Sequence, residues 1–121
     1  MTKMQITVRR SGGQESGMAY DSGVPGLAIN RRMFNDNADW VITHIGTGLI
    51  VPHYGYRFRN LREAQAFAKS IAKIANWTFR LSFKAEATSV NIIQAFRRTN
   101  PRRSWENLGK RIGGIAKKRR S

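Results

Sequence analysis

The amino-acid sequence predicts an α+β fold. A small antiparallel sheet, built from a hairpin over residues 40–51 and a strand over 77–84, packs against one main helix at 61–76. Short C-terminal helices and a basic tail complete it. Three observations carry this prediction. β-Branched runs flank a glycine-bearing connector between Trp40 and Val51. Apolar residues recur at helical spacing from Leu61 to Ala75. Strict alternation of apolar and polar residues then runs from Trp77 to Lys84.

From the N-terminus, Met4, Ile6 and Val8 alternate with Gln5, Thr7 and Arg9, which reads as a short strand. Residues 11–26 are expected to be a mobile, glycine-rich loop. Gly12, Gly13, Gly17, Gly23, Pro25 and Gly26 stand among small polar residues, and such a stretch loses much entropy on ordering. Leu27-Ala28-Ile29 reads as a second short strand, and Asn35-Asp36-Asn37 as a turn. In the hairpin, Trp40 to Ile45 and Leu49 to Val51 flank Gly46-Thr47-Gly48, and Pro52 ends the second strand because it has no ladder donor.

The main helix has Asn60 as its N-cap and Glu63 placed to reach back in a capping box. Leu61, Ala64, Phe67, Ala68, Ile71, Ile74 and Ala75 share one face. The strand at 77–84 should set Trp77, Phe79, Leu81 and Phe83 under that helix. A second helix runs from Ser89 to Arg98 with Val90, Ile93 and Phe96 inward, and Thr99-Asn100-Pro101 stops it. Ser104 caps a further short helix holding Trp105, Leu108 and Ile112. Gly113-Gly114 is expected to break it, leaving Lys117 to Arg120 as a loose tail. The chain thus divides into an α+β core domain, 1–100, and a basic C-terminal arm, 101–121.

The charge balance narrows the function. The 121 residues hold 22 Lys+Arg against seven Asp+Glu, a net charge of +15, so an anionic partner is favoured. Residues 97–121 alone carry ten Lys/Arg and one Glu. No cysteine is present, which excludes disulfide scaffolds, thiolate metal sites and cysteine nucleophiles. Two histidines and seven carboxylates leave little for acid–base chemistry, and a non-enzymatic role without cofactor or metal is expected. The longest aliphatic run, Leu49-Ile50-Val51, is far short of a membrane span, and no signal peptide precedes it, so a cytoplasmic location is expected.

The candidate nucleic-acid contacts are Arg97, Arg98, Arg102, Arg103, Lys110, Arg111, Lys117, Lys118, Arg119 and Arg120. Each neutralised phosphate releases a counterion, so such an array binds with steep salt dependence. Trp105 lies among these clusters and is a candidate for base stacking, or for folding back into the core. Arg62, Lys69 and Lys73 form a positive stripe on the main helix that would extend the phosphate track, or serve as its solvated side. His44 and His53, with Tyr54, are the minimum kit for an RNA-cleaving acid–base pair, but their spacing is not diagnostic. A hydrogen-bonded sheet residue is the first reading of His44. Gly46-x-Gly48 has no Lys-Ser/Thr helix behind it and is a turn.

Phe58, Asn60, Glu63 and Ala64 fit the F-x-[T/N]-x-x-E-A pattern at a helix start. In this the stretch from Trp40 resembles the plant ethylene-response-factor domain and the arm-binding domain of phage integrases, which implies a three-stranded sheet on a helix. Those sheets read DNA with strand arginines, and residues 40–45 and 49–51 carry none. Trp40-x-x-Thr43-His44-x-x-Thr47-Gly48, followed by an alanine-rich helix ending in Asn76-Trp77, resembles small proteins of bacteriophages and prophages. That group includes nucleic-acid binders and inhibitors of host defence such as anti-CRISPR proteins. The resulting expectation is a phage-type accessory protein that binds DNA or RNA. The alternative is an anti-CRISPR-like inhibitor of a host nucleoprotein enzyme. An exposed hairpin edge also offers pairing into a homodimer.

Overall fold

The computed structural model describes residues 2–10, 12–82 and 84–120. Five strands form one antiparallel sheet in the order of the chain: β1 (Lys3–Arg10), β2 (Gly13–Asp21), β3 (Leu27–Arg31), β4 (Trp40–His44) and β5 (Leu49–Ile50). Three helices follow: α1 (Leu61–Ala72), α2 (Ser89–Thr99) and α3 (Trp105–Arg120). The Arg9 amide donates to the Gly48 carbonyl at 2.7 Å, so β1 meets the β4–β5 turn and the sheet curls on itself. Ile6, Val8, Ala19 and Ala28 form a small core with Phe34 and Ile45. The larger core joins Leu27, Ile29 and Ile42 of the sheet to Phe67, Ala68 and Ile71 of α1 and Phe96 of α2.

The expected hairpin and helices are present, with corrections. Residues 13–21 are not a loop but β2, paired along its length with β1 from Arg10↔Gly13 to Lys3↔Tyr20. Its exposed Gln14, Ser16 and Met18 hide the pattern, because only Ala19 of the strand is fully buried. Ser11 lies outside the described residues. α1 is capped as expected, with Asn60 Oδ1 accepting from the Glu63 amide at 2.9 Å. Glu63 reaches back one residue further, to the amide of Arg59 at 3.2 Å. The helix ends at Ala72 rather than 76, and the Trp77 indole N–H joins the Ile74 amide in donating to the Ile71 carbonyl of its last turn.

Residues 77–82 do not form a strand. The alternation itself is real, since Trp77 and Phe79 are buried while Thr78 and Arg80 are exposed. The backbone, however, bonds to turns and side chains in place of a ladder. Leu81 donates to the Gly46 carbonyl, the Thr78 amide to Asn76 Oδ1, and the Trp77 carbonyl meets His44 Nε2. This crossing is so close that a Cβ on Gly26 or Gly46 would strike the carbonyls of Trp77 or Phe79. Phe83, assigned to the same strand, lies outside the described residues.

α2 buries Ile92, Ala95 and Phe96, whereas Val90 is 63% exposed. The actual stripe turns Arg97 and Arg98 to solvent. α3 corrects two further expectations. It runs through Gly113-Gly114 as one 16-residue helix, longer than the 12-residue α1, so no single main helix dominates. The backbone of residues 117–120 is its last turn, not a loose tail. Leu108, Ile112 and Ala116, all in the stretch assigned to an arm, are buried in the same core as α1. Tyr54 packs on this helix. Its hydroxyl donates to the Gly109 carbonyl at 2.7 Å, and its ring lies beside Gly113. Among the described residues, no helix is long and apolar enough to cross a membrane.

Candidate nucleic-acid interface

The cations singled out in the sequence fall on three elements. Arg97 and Arg98 end α2, Arg102 and Arg103 occupy the turn to α3, and Lys110, Arg111, Lys117 and Lys118 project from α3; all are exposed. The side chains of Arg119 and Arg120 lie outside the described residues. Burial of Leu108, Ile112 and Ala116, spaced i, i+4, i+8, sets one face of α3 against the core and leaves the opposite face to the cations. A cation array on a packed helix presents its charges without first being ordered, unlike an array on a flexible segment.

Arg103 joins the set. With Arg102 and Arg111 it lines a cleft of about 130 Å³, rimmed by Ser104 and Asn107 and floored by Phe96. With Arg97 and Arg102 it lines an open depression of about 420 Å³ beside Trp105 and Glu106. A third depression places it with Lys73 of α1. The α1 stripe therefore meets the C-terminal cations at Lys73. Lys69 stands one turn before Lys73, and Arg62 stands a further two turns back, at the start of the helix.

Three ion pairs lie away from this surface, Arg10 with Glu15, Arg57 with Asp39, and Arg59 with Glu63. Among the described residues, Arg97, Arg98, Arg102, Arg103, Lys110, Arg111 and Lys117 have no carboxylate partner. The Arg57 guanidinium holds the Asp39 carboxyl below its ordinary range, and the Arg59 amide does the same to Glu63.

Trp105 is half-buried. Its ring meets Phe96 edge-on with centroids 5.1 Å apart, and Phe79 at 6.3 Å. That packing ties the start of α3 to the core. His44 is deeply buried, and burial lowers its pKa from 6.5 to about 4, partly opposed by the Trp77 carbonyl. Nε2 lies 2.8 Å from that carbonyl, so it carries the proton, and Nδ1 accepts from the Thr47 hydroxyl at 2.9 Å. Both ring nitrogens are thus committed to the fold. His53 packs its ring against Phe58, centroids 5.8 Å apart. An apolar cavity of about 300 Å³ lies between the hairpin turn and α3, lined by Leu49, Trp77, Trp105 and Ile112 among others.

Sequence reasoning missed the continuity of α3, and with it the way Lys110, Arg111, Lys117 and Lys118 come onto one helix face. Their spacing was a signal, but two adjacent glycines read as a breaker. It also missed the pairing of cations with aromatic rings on the sheet, Arg31 over Trp40 at 4.4 Å and Lys3 over Tyr20 at 5.8 Å. In comparisons with known proteins, the chain matches no family model and has no significant match among curated proteins or solved structures.

Proposed function

We propose that this protein binds nucleic acid without catalysis, through phosphate contacts made by the cations of α2, α3 and the turn between them. The observation that carries the proposal is the placement of these exposed cations on packed helices and the turn between them, with the single acid Glu106 beside Arg97, Arg102 and Arg103. Arginine in the turn forks onto phosphate oxygens, and lysine along α3 supplies point charges. Contacts of this kind position a partner and carry little base discrimination. Taken with the resemblance of residues 40–77, the role proposed is that of a phage-type accessory protein.

The test is a salt titration of binding to an arbitrary DNA duplex and an arbitrary RNA, followed by fluorescence anisotropy. Six or more phosphate contacts should weaken affinity roughly a thousandfold between ~50 and ~200 mM salt. A flat response would overturn the proposal. A stoichiometric protein partner that survives nuclease treatment in a pull-down would replace it with inhibition of a host nucleoprotein enzyme.

A further inference from the structure

We propose that the nucleic acid is taken as a single strand, with one unstacked base seated on the sheet against Tyr20 and Trp40, in the gap where β2 parts from β3. This rests on the nucleic-acid reading above and names the form of nucleic acid that the surface accepts.

The gap follows from the strand pairing. β2 and β3 pair only at Tyr20↔Ile29 and Asp21↔Ala28, and then separate. A depression of about 470 Å³ opens there, with Met18 and Tyr20 on one side and Arg31 and Trp40 on the other. The Asp21 amide donates to the Thr2 carbonyl, so the odd-numbered residues of β2 bond to β1. Met18 therefore turns its amide and carbonyl towards the gap, where β3 no longer meets them. Phe34 lines the same gap. It sits at φ 53, after Met33 at φ 56, left-handed backbone that residues with side chains disfavour. Strain of this sort collects at binding sites.

The side chains have the chemistry of a base site. The Tyr20 and Trp40 rings stand 6.0 Å apart between centroids. Arg31 lies over Trp40 at 4.4 Å and is held by the Ala38 carbonyl at 3.0 Å; Lys3 lies over Tyr20 at 5.8 Å. Unstacked bases lie on such aromatic rings and on guanidinium planes. Among the described residues, neither the Tyr20 hydroxyl nor the Trp40 indole N–H has a hydrogen-bond partner, whereas the indole of Trp77 has one. Both are open to the edge of a base. Met18, 58% exposed, extends the apolar surface.

Charge decides which part of the strand enters. Among the described residues, Asp36 is the one acid of the lining, and it keeps a phosphate out of the gap. Lys3 and Arg31 attract the phosphates to the margins. The base therefore goes in and its backbone stays outside. Trp40 bridges to Phe58, two residues before the Asn60 cap, so α1 begins beside the gap. From that start Arg62, Lys69 and Lys73 lead along α1 to Arg103 and the C-terminal cations. A duplex keeps its bases stacked and paired, so a single strand is the form that can present one here. DNA and RNA share this chemistry and are separate arms of the test.

The experiment titrates the full chain with short oligothymidylate and oligouridylate strands and with a duplex of equal length, at fixed low salt. Anisotropy reports affinity, and tryptophan emission is recorded alongside. Tyr20→Leu keeps an apolar side chain and removes the ring. It should weaken single-strand binding about tenfold and leave the duplex within about twofold. The salt slope should stay the same, because no cation is lost. Emission of the unchanged chain should fall on binding a single strand. Most of that fall should vanish in Trp40→Phe, although Trp77 and Trp105 remain. Unchanged single-strand affinity in Tyr20→Leu overturns the base seat and leaves the phosphate-contact reading standing. Equal weakening on single strands and duplex overturns it too, since Tyr20 would then act through the fold. Should Tyr20→Leu misfold, undiminished quenching in Trp40→Phe overturns the seat equally. Failure of the unchanged chain to bind any probe overturns the underlying reading, and the seat with it.

Discussion

Acid should weaken this fold well before its carboxylates titrate, and His44 is the reason. In the folded chain its imidazole is neutral, with a pKa lowered from 6.5 to about 4 chiefly by burial. A group depressed on folding contributes its full stability above the unfolded value. That contribution is lost as pH falls towards the folded value, because the unfolded chain takes up the proton first. At ~1.4 kcal/mol per pH unit, the interval between 6.5 and about 4 is worth about 3 kcal/mol. That is a large share of the 5–15 kcal/mol typical of a small domain. Urea unfolding at pH 7.5, 6.5, 5.5 and 4.5 measures it directly. The unchanged chain should lose about 1 kcal/mol per unit below pH 6.5. In His44→Gln the amide keeps a donor for the Trp77 carbonyl and an acceptor for the Thr47 hydroxyl, so its slope over the same range should be much flatter. His53 is present in both chains and cancels in the comparison. Asp39 and Glu63 are also held low, but their contribution is lost further down, as pH falls below the ordinary carboxylate range. Equal slopes in the two chains would refute the assignment of a buried neutral imidazole.

Two more outcomes follow from the packing. Asn100 is buried; its Oδ1 accepts from the Asn76 amide at 2.6 Å and its Nδ2 donates to the Asn76 carbonyl at 2.9 Å. Asn100→Ala strands both main-chain groups and should cost about 1–3 kcal/mol in urea unfolding; a loss below ~0.5 kcal/mol would mean water replaces the amide. Ile92→Ala should cost about 2–4 kcal/mol, while Val90→Ala, at a site 63% exposed, should stay within ~0.5 kcal/mol. The reverse order of midpoints would show that α2 is turned the other way.

Much of the architecture was legible where periodicity and capping agree. Asn60 and Glu63 open α1 in a place that composition alone marks out. The β-branched residues from Val41 to Thr43 and at Ile50 form the expected hairpin. Other features depend on partners distant in the chain. β2 is polar and glycine-bearing, and it becomes a strand because β1 lies beside it in continuous register. Residues 77–82 have the alternation of a strand, but their amides and carbonyls find turns and side chains instead. Alternation reports which side chains are buried, not where the backbone bonds go. Gly113 and Gly114 read as a break because glycine is a poor helix former, yet α3 runs through both with Leu108, Ile112 and Ala116 anchored in the core. The cations were legible as a list of charges. Their arrangement along α3 and through Arg103 was not, since it depends on α3 being one helix and on the turn that precedes it.

Arg9 carries a consequence for how the molecule assembles during synthesis. Its guanidinium donates to the carbonyls of Ser82 at 2.6 Å and Ala85 at 2.7 Å, separations of 73 and 76 positions. On the ribosome, the first hairpin emerges with all its own ladder partners, yet this clasp waits until more than two thirds of the chain has been made. Closing so wide a loop is an entropic cost met late. The nascent protein should therefore linger with an unfastened sheet edge, in a state where assistance or interference from other molecules has time to act.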